Sequence, residues 1–115
     1  MKKTLFTALL AGLLTTTAFA QFTGPSVATR TRTVAQANTA RLGSYVTVTG
    51  NITSHLRGDY FMFKDATGEM RVEIEPEAWQ GRKVGPDAKV RLHGEVGTGV
   101  AGRYMWVKTL DVVAP

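Results

Sequence analysis

Three carboxylates stand close together near the middle of the chain, at Glu73, Glu75 and Glu77. Carboxylate oxygens are the ligands that hard cations such as Ca²⁺ prefer, so this spacing along one strand could hold such an ion. Arg71 shares the same predicted face, however, and Lys64 lies on the neighbouring predicted strand. Because charge pairs across strands explain the carboxylates more simply, we expect a solvated, self-neutralising face rather than an ion site.

The rest of the chain offers little for catalysis or for a transition metal. There are only two histidines, His55 and His93, they are far apart, and there is no cysteine. Transition-metal sites need several nitrogen or sulfur ligands that converge. No stretch combines a nucleophile, a base and an oxyanion donor at a recognisable spacing. We therefore predict no enzymatic activity, no cofactor and no metal, with a metal-assisted hydrolase as an alternative.

Aromatic residues on predicted outward faces are better candidates for binding. Tyr45, Tyr60, Tyr104 and Trp106 belong to this outward set. Rings beside cationic side chains stack on flat ligands such as bases, sugars, peptides or lipid headgroups. The predicted ligand-binding or partner-binding residues are Tyr60, Met62, Lys64, Arg71, Glu73 and Tyr104. In the alternative, the last strand is rotated, so that Tyr104 and Trp106 pack inward or beneath the N-terminal helix.

A β-hairpin over residues 60–75 must position most of these side chains. In its second arm apolar and charged residues alternate, which is the pattern of a strand with one buried face. In its first arm Lys64 must be exposed, which turns Phe61 and Phe63 inward and the other side chains outward. Between the arms, residues 65–68 read Asp-Ala-Thr-Gly, with an aspartate that favours a type I turn and a glycine that closes a bulged loop.

The same alternation predicts three further strands, and glycines mark the places where they bend. The strands cover residues 45–52, 89–96 and 104–113. Gly50 and Gly94 fall on inward positions, where a glycine typically marks a bulge or a sharp bend. In the last strand the inward phase slips at Lys108 and Thr109, which indicates a bulge there.

Two short helices and three connections complete the order of elements. Thr33 can cap a helix over residues 34–42 that ends at Gly43. Pro76 begins a short helix or turn, and Trp79 within it is suited to cover one mouth of a barrel. The predicted connections cover residues 55–59, 82–88 and 97–102, and we expect the last of these to be flexible.

This order of elements predicts an all-β fold, a five-stranded OB-fold Greek-key barrel with a short N-terminal helix and a short helix between strands three and four. The strand count leaves other small barrels open, whereas a sandwich usually needs about seven strands. The predicted inner lining consists of Val46, Val48, Phe61, Phe63, Val72, Ile74, Val90 and Leu92. Because the chain has no cysteine, packing of this lining must hold the barrel together without disulfides.

The first twenty residues have the features of a secretory signal peptide. Lys2 and Lys3 precede an apolar run over residues 5–14, and residues 18–20 form a small-x-small cleavage site. The run is shorter than the ~20 residues that a membrane-spanning helix needs. We therefore expect export to the periplasm, cleavage after Ala20 and no transmembrane segment in the mature chain. The predicted organisation is a signal peptide at 1–20, a flexible N-terminal arm at 21–32 and the OB-fold domain at 33–115.

Several segments resemble the bacterial OB-fold (BOF) family of periplasmic stress-tolerance proteins, the YgiW/YdeI group, in the same order and at similar spacing. They are Phe22-Thr23-Gly24-Pro25, Thr33-Val34-Ala35-Gln36-Ala37, the strand 46–52, the hairpin residues 60–69 and 72–74, Trp79, and Gly94-Glu95-Val96. The resemblance spans essentially the whole mature chain. It implies an OB fold in the periplasm that binds small molecules, cations or envelope partners, and it supplies no catalytic residue. The loop 97–102 departs from the acidic loops of relatives, which weakens any electrostatic role for that rim.

We therefore predict a non-enzymatic periplasmic binding module with a role in envelope stress tolerance. It would engage a small ligand, a cation or an envelope partner through the face of the second and third strands, where OB-folds bind their ligands. The alternative of a single-stranded nucleic-acid-binding domain rests on fold analogy alone. Loss of the two lysines of the signal peptide reduces an already mild net charge of +5, so we do not expect nucleic acid among the partners.

Overall fold

A computed structural model of the protein describes residues 31–115. The predicted signal peptide, its cleavage site after Ala20 and the arm up to residue 30 lie outside the described residues. The elements are β1 Thr31–Arg32, α1 Val34–Ala37, β2 Tyr45–Arg57, β3 Tyr60–Asp65, β4 Gly68–Glu73, α2 Pro76–Trp79, β5 Lys89–Gly99 and β6 Gly102–Ala114. Neither of the helices in this part of the chain has the length and apolarity needed to cross a membrane.

The five long strands close into a barrel, which confirms the predicted fold class. β2 pairs in antiparallel fashion with β5 through residues 45–50 and with β3 from Asn51 onward. β3 and β4 form one hairpin, and β5 and β6 form another. Parallel pairing of Val72 on β4 with Met105 on β6 closes the barrel. The two-residue β1, which is the end of the predicted flexible arm, adds a short parallel pairing to β2.

The predicted bend at Gly50 is confirmed. Gly50 is the last residue of β2 that pairs with β5, and the next residue already pairs with β3. A Cβ atom at this position would overlap the carbonyl oxygen of Lys64. Only glycine therefore allows the two backbones to approach closely where β2 passes from one partner to the other.

The predicted bulge in the last strand is also confirmed. His93 pairs with Thr109 and the next residue, Gly94, pairs with Val107, so that Lys108 is the extra residue. The bulge reverses the inward phase of β6, which is why the apolar residues on its two sides are out of register with each other. Its effect on the site is large, because it decides which side chains of the first half of β6 face outward.

Apolar side chains fill the interior as predicted. Seven of the eight predicted lining residues are buried, and only Phe61 is half-buried. Phe61 packs edge-on against Trp79 with 5.3 Å between ring centres, and both rings pack against the core. Met105 and Val107 are buried as well, so Tyr104 and Trp106 face outward and the alternative rotation of the last strand is wrong.

The first helix is shorter than predicted, since it ends at Ala37 instead of residue 42. Thr33 does cap it, because its hydroxyl accepts a hydrogen bond from the backbone N–H of Gln36. Beyond the helix the backbone N–H groups bond three residues back, and the Asn38 amide donates to the carbonyl oxygen of Glu69. This side-chain bond fastens the chain to the start of β4.

Two of the predicted loops are largely strand. β2 continues through Arg57, which leaves Gly58 and Asp59 as the turn to β3. β5 runs to Gly99 and β6 starts at Gly102, so the loop predicted as flexible is a tight two-residue turn. The residues in question are mostly exposed on both faces and show no alternation, which is the signal on which strand prediction depends.

Candidate functional site

The two tight turns lie at the same end of the barrel and border a groove over β3 and β4. We call it the tyrosine groove, and its volume is about 540 Å³. Its lining residues are His55, Leu56, Arg57, Tyr60, Arg71, Gly99, Val100, Ala101 and Tyr104. This is the location where OB-folds bind ligands, between the first and last hairpin loops and the face of the central hairpin.

The guanidinium of Arg71 lies against two tyrosine rings in this groove. Its guanidinium carbon is 4.9 Å from the ring centre of Tyr60 and 5.5 Å from that of Tyr104. The two rings meet edge to face, with 5.9 Å between their centres and an angle of 77°. Nη2 of Arg71 also donates a hydrogen bond of 3.2 Å to the carbonyl oxygen of Gly102. Cation–π attraction and this hydrogen bond hold the guanidinium in one place.

The strand register explains why these three side chains meet. Tyr60 pairs with Glu73, so Arg71 is the diagonal neighbour of Tyr60 on the same outward face. The parallel pairing between β4 and β6 places Glu73 beside Trp106. Two residues earlier on each of these strands are Arg71 and Tyr104, which therefore also lie side by side. Barrel closure thus positions the cluster.

Two groups at the groove, the carboxyl of Glu73 and the phenol of Tyr104, have raised pKa values. Burial raises the pKa of Glu73, and the negative charges of Glu75 and Asp59 add to the effect, while Arg71 opposes it. Burial likewise raises the pKa of Tyr104, with a further contribution from Glu73 and opposition from Arg71. The raised pKa disfavours the tyrosinate form, and the phenol hydroxyl can donate a hydrogen bond.

The structure brings together only some of the predicted site residues. Tyr60, Arg71 and Tyr104 line the tyrosine groove. Glu73 lies next to the groove, opposite Tyr60 on the neighbouring strand. Met62 is half-buried opposite Arg71 and does not line the groove.

Lys64 lies in a different groove at the hairpin-turn end of β3. This second groove has a volume of about 510 Å³, and Asn51, Asp87 and Lys89 line it together with Lys64. Lys64 pairs with Glu69 across the hairpin, so it is distant from Glu73 along the strand. Lys64 therefore faces outward as predicted but lies away from the tyrosine groove, because alternation determines the face of a residue and not its position along the barrel.

Six lining residues were missed because their segments read as loops. His55, Leu56 and Arg57 lie at the end of β2, Gly99 ends β5, and Val100 and Ala101 form the turn between β5 and β6. The available signal was the fold itself, since an OB-fold uses these two connections to border its ligand site.

The three carboxylates do not converge. Glu75 accepts a weak hydrogen bond of 3.4 Å from the indole nitrogen of Trp106, whereas Glu77 lies exposed in the first turn of α2. Pro76 ends the strand pattern and redirects the chain between them. Within residues 31–115, no group of three or more His, Asp or Glu side chains is arranged to hold a metal ion.

Each histidine has a structural partner of its own. Nε2 of His55 is 2.8 Å from the carbonyl oxygen of Gly58, and the ring stacks on Phe61 with 4.7 Å between centres. Because a carbonyl oxygen only accepts hydrogen bonds, Nε2 carries the proton. Nδ1 of His93 is 2.8 Å from the hydroxyl of the buried Thr47, and the ring itself is half-buried.

Comparison with known proteins agrees with this architecture. The family model for the bacterial OB fold (BOF) protein matches residues 13–112. The calcium-regulated OB-fold protein CarO of Pseudomonas aeruginosa is 35% identical over 99 residues, which cover 86% of this chain and 85% of CarO. The solved structure of YgiW from E. coli superposes with a TM-score of 0.70 and 33% identity, over 73% of this chain and 90% of YgiW.

More distant structures share the fold alone. Replication protein A of U. maydis, solved with bound single-stranded DNA, superposes with a TM-score of 0.56 at 14% identity over 75% of this chain and 73% of that one. Similarity this low reflects a common barrel and transfers no ligand. The extent of the family match and the identity to CarO, by contrast, cover most of the chain. The chain belongs to the bacterial OB fold family.

Proposed function

We propose that the protein is a non-enzymatic, exported binding module with a role in envelope stress tolerance, and that it takes a small ligand or an envelope partner in the tyrosine groove. The observation that carries this proposal is the position of Arg71, held against Tyr60 and Tyr104 on the face that OB-folds use for ligands. A cation fixed beside two rings offers an incoming group both charge and flat apolar surface.

The cluster is already arranged before a ligand arrives. Binding sites lose affinity when side chains must be ordered on association, at roughly 0.5–1.5 kcal/mol for each flexible side chain. Arg71 is a long side chain, and the two rings and the Gly102 carbonyl oxygen already limit its motion. A ligand therefore meets a preformed surface, which favours a role in binding.

The chemistry of the groove supports binding rather than a reaction. The hydroxyl of Tyr104 can donate a hydrogen bond to an anionic or carbonyl oxygen. Arg71 and Arg57 supply guanidinium groups that can bind such oxygens with two hydrogen bonds. These groups suit recognition of a group that is negatively charged or rich in acceptor oxygens.

The periplasmic location and the stress role in this proposal rest on the predicted signal peptide and on the family. A cation is a second ligand class, suggested by the name of the relative CarO, which records regulation by calcium. A calcium titration followed by thermal unfolding separates the two classes. An ion bound to the folded protein raises the melting temperature in proportion to the logarithm of its concentration.

Capture from an envelope extract tests the proposal. The protein, expressed from its full-length gene, is immobilised, and the retained components are identified by mass spectrometry. We expect Tyr60→Ala with Arg71→Ala to abolish retention, whereas Arg91→Ala, which removes the same charge from an exposed position on β5, leaves it unchanged. Equal retention by the wild type and the groove variant would contradict the assignment of the site.

A further inference from the structure

Two exposed apolar side chains stand at the mouth of the tyrosine groove. Leu56, near the end of β2, is 43% exposed, and Val100, in the turn between β5 and β6, is fully exposed. Single exposed apolar residues are common on protein surfaces. These two differ because they project from the tips of two separate hairpins and line one groove together.

Two cationic side chains line the groove behind these tips. They are Arg57 and Arg71, and none of the lining residues is an aspartate or a glutamate, although Asp59 and Glu73 lie beside the groove. Tyr60 and Tyr104 complete its wall, and tyrosine is enriched at membrane–water interfaces because one end of the ring is apolar and the other is polar. The groove therefore combines apolar, aromatic and cationic side chains at one end of the barrel.

We propose that this end of the barrel docks on an anionic lipid surface. Leu56 and Val100 enter the boundary between headgroups and acyl chains, while Arg57 and Arg71 contact lipid phosphates. This inference rests on the proposed function, since it names the partner of the tyrosine groove. A lipid surface presents an anionic layer and an apolar layer together, and the groove offers cationic and apolar side chains to them.

The apolar tips distinguish a lipid surface from a free anion. A soluble phosphate or nucleotide would use the arginines and the tyrosine rings, and it would leave Leu56 and Val100 in water. A bilayer contacts both hairpin tips at once, because it presents a continuous surface on which widely separated side chains can be buried together. A folded protein partner would need matching pockets for both tips, and that possibility is one outcome of the test.

Vesicle sedimentation tests the inference. The protein, expressed from its full-length gene and checked by intact mass so that all variants share one N-terminus, is mixed with vesicles of phosphatidylglycerol and phosphatidylcholine in equal parts. Vesicles of phosphatidylcholine alone and soluble glycerol phosphate are the comparison samples. We expect binding to the mixed vesicles, weakening with salt, and little binding to the neutral ones.

Variants show which side chains make the contact. Leu56→Ser with Val100→Ser should lower the partition coefficient about tenfold or more, because two apolar side chains no longer enter the interface. Arg57→Gln should lower it about fivefold, the contribution of one basic residue near an anionic surface. Leu42→Ser, at an apolar residue 48% exposed outside the groove, and Arg91→Gln are the matched controls and should change nothing.

Several results would overturn the inference. They are no binding to the mixed vesicles, equal losses in the controls, and binding that is indifferent to Leu56, Val100 and Arg57. Binding of glycerol phosphate without vesicle binding would identify a free anion as the ligand. If the vesicles fail while retention from the envelope extract still depends on Tyr60 and Arg71, the proposed function stands with a soluble partner, such as a protein, in place of lipid.

Discussion

Arg71 and Tyr60 are diagonal neighbours on adjacent strands, and the guanidinium carbon lies 4.9 Å from the centre of the tyrosine ring. At a partly exposed site such a pair stabilises the protein by about 0.5–1 kcal/mol, too little to account for the fold. Its main consequence is local, because it fixes a charged group beside Tyr104 in the tyrosine groove.

Replacing Arg71 should change the ionisation of Tyr104. The positive charge of Arg71 favours the tyrosinate and partly offsets the causes that raise the pKa of Tyr104. We expect Arg71→Gln to raise the pKa of Tyr104 further, and Glu73→Gln to lower it, as measured by NMR of labelled tyrosine rings. Arg91→Gln, at a residue six positions along β5 from Gly97, the partner of Tyr104, should have no effect. A fall in the pKa in Arg71→Gln would contradict the described cluster.

Glu73 should destabilise the folded protein at neutral pH. Its pKa is raised in the folded state, so the charged form is less favourable there than in the unfolded chain. We expect Glu73→Gln to raise the melting temperature at pH 7. The advantage should shrink as the pH falls through the raised pKa and vanish below the ordinary value of 4.5. Glu77→Gln, at the exposed start of α2, is the control and should bring no gain.

Asp65 should stabilise the protein through its links to α1. Its carboxylate accepts hydrogen bonds from the backbone N–H of Val34 at 2.9 Å and from the backbone N–H of Thr67 at 2.7 Å. We expect Asp65→Asn to lower the free energy of unfolding by about 1–3 kcal/mol, since hydrogen bonds to a charged acceptor are lost. Urea unfolding at neutral pH measures this loss, with Asp87→Asn at an exposed site as the control.

The contribution of Asp65 should also depend on pH. Burial raises the pKa of Asp65. Hydrogen bonds from the Thr67 hydroxyl and from backbone N–H groups together lower it by a larger amount, so the net shift is downward. The stabilisation is therefore fully present above the ordinary value of 3.8 and is lost as the pH falls through the lowered pKa. The difference between wild type and Asp65→Asn should narrow in that acidic range. A constant difference down to strongly acidic pH would contradict this assignment.

Gly50 should not tolerate a side chain. A Cβ there would overlap the carbonyl oxygen of Lys64, and the backbone of a closed barrel cannot shift without a substantial cost in free energy. We expect Gly50→Ala to cost at least ~2 kcal/mol of unfolding free energy, as overpacking in a rigid site does. Gly85→Ala is the matched control, because a Cβ at Gly85 meets nothing within 4 Å, and its effect should stay within ~0.5 kcal/mol. Equal stability of the two variants would argue against the described path of β2.

Much of the barrel could be predicted from the sequence, because its signals are local. Alternation in the central hairpin, the inward position of Gly50 and the slip in phase at Lys108 each lie within a few residues. The structure confirms all three, since a strand with one buried face imposes its period directly on the sequence. The close contact with the Lys64 carbonyl oxygen also gives Gly50 its physical reason.

The site could be predicted only in part, because its geometry depends on pairing between distant segments. Arg71 meets Tyr104 through the parallel register of β4 and β6, for which neither strand carries a local signal. Lys64 and Arg71 both face outward, yet they lie toward opposite ends of their hairpin. Leu56 was not predicted as a residue of the site, because a strand segment that is exposed on both faces shows no alternation of apolar and polar residues.

Photo-crosslinking in intact cells tests most directly the claim that the tyrosine groove is the binding surface. A benzophenone amino acid replaces either Ala101, which lines the tyrosine groove, or Ala66, which lines the groove at the other end of the hairpin. Both positions are exposed, so neither replacement disturbs the core. We predict a crosslinked product from position 101 that Arg71→Ala removes, and none from position 66. A product from position 66 alone, or one from position 101 that is indifferent to Arg71, would contradict the account.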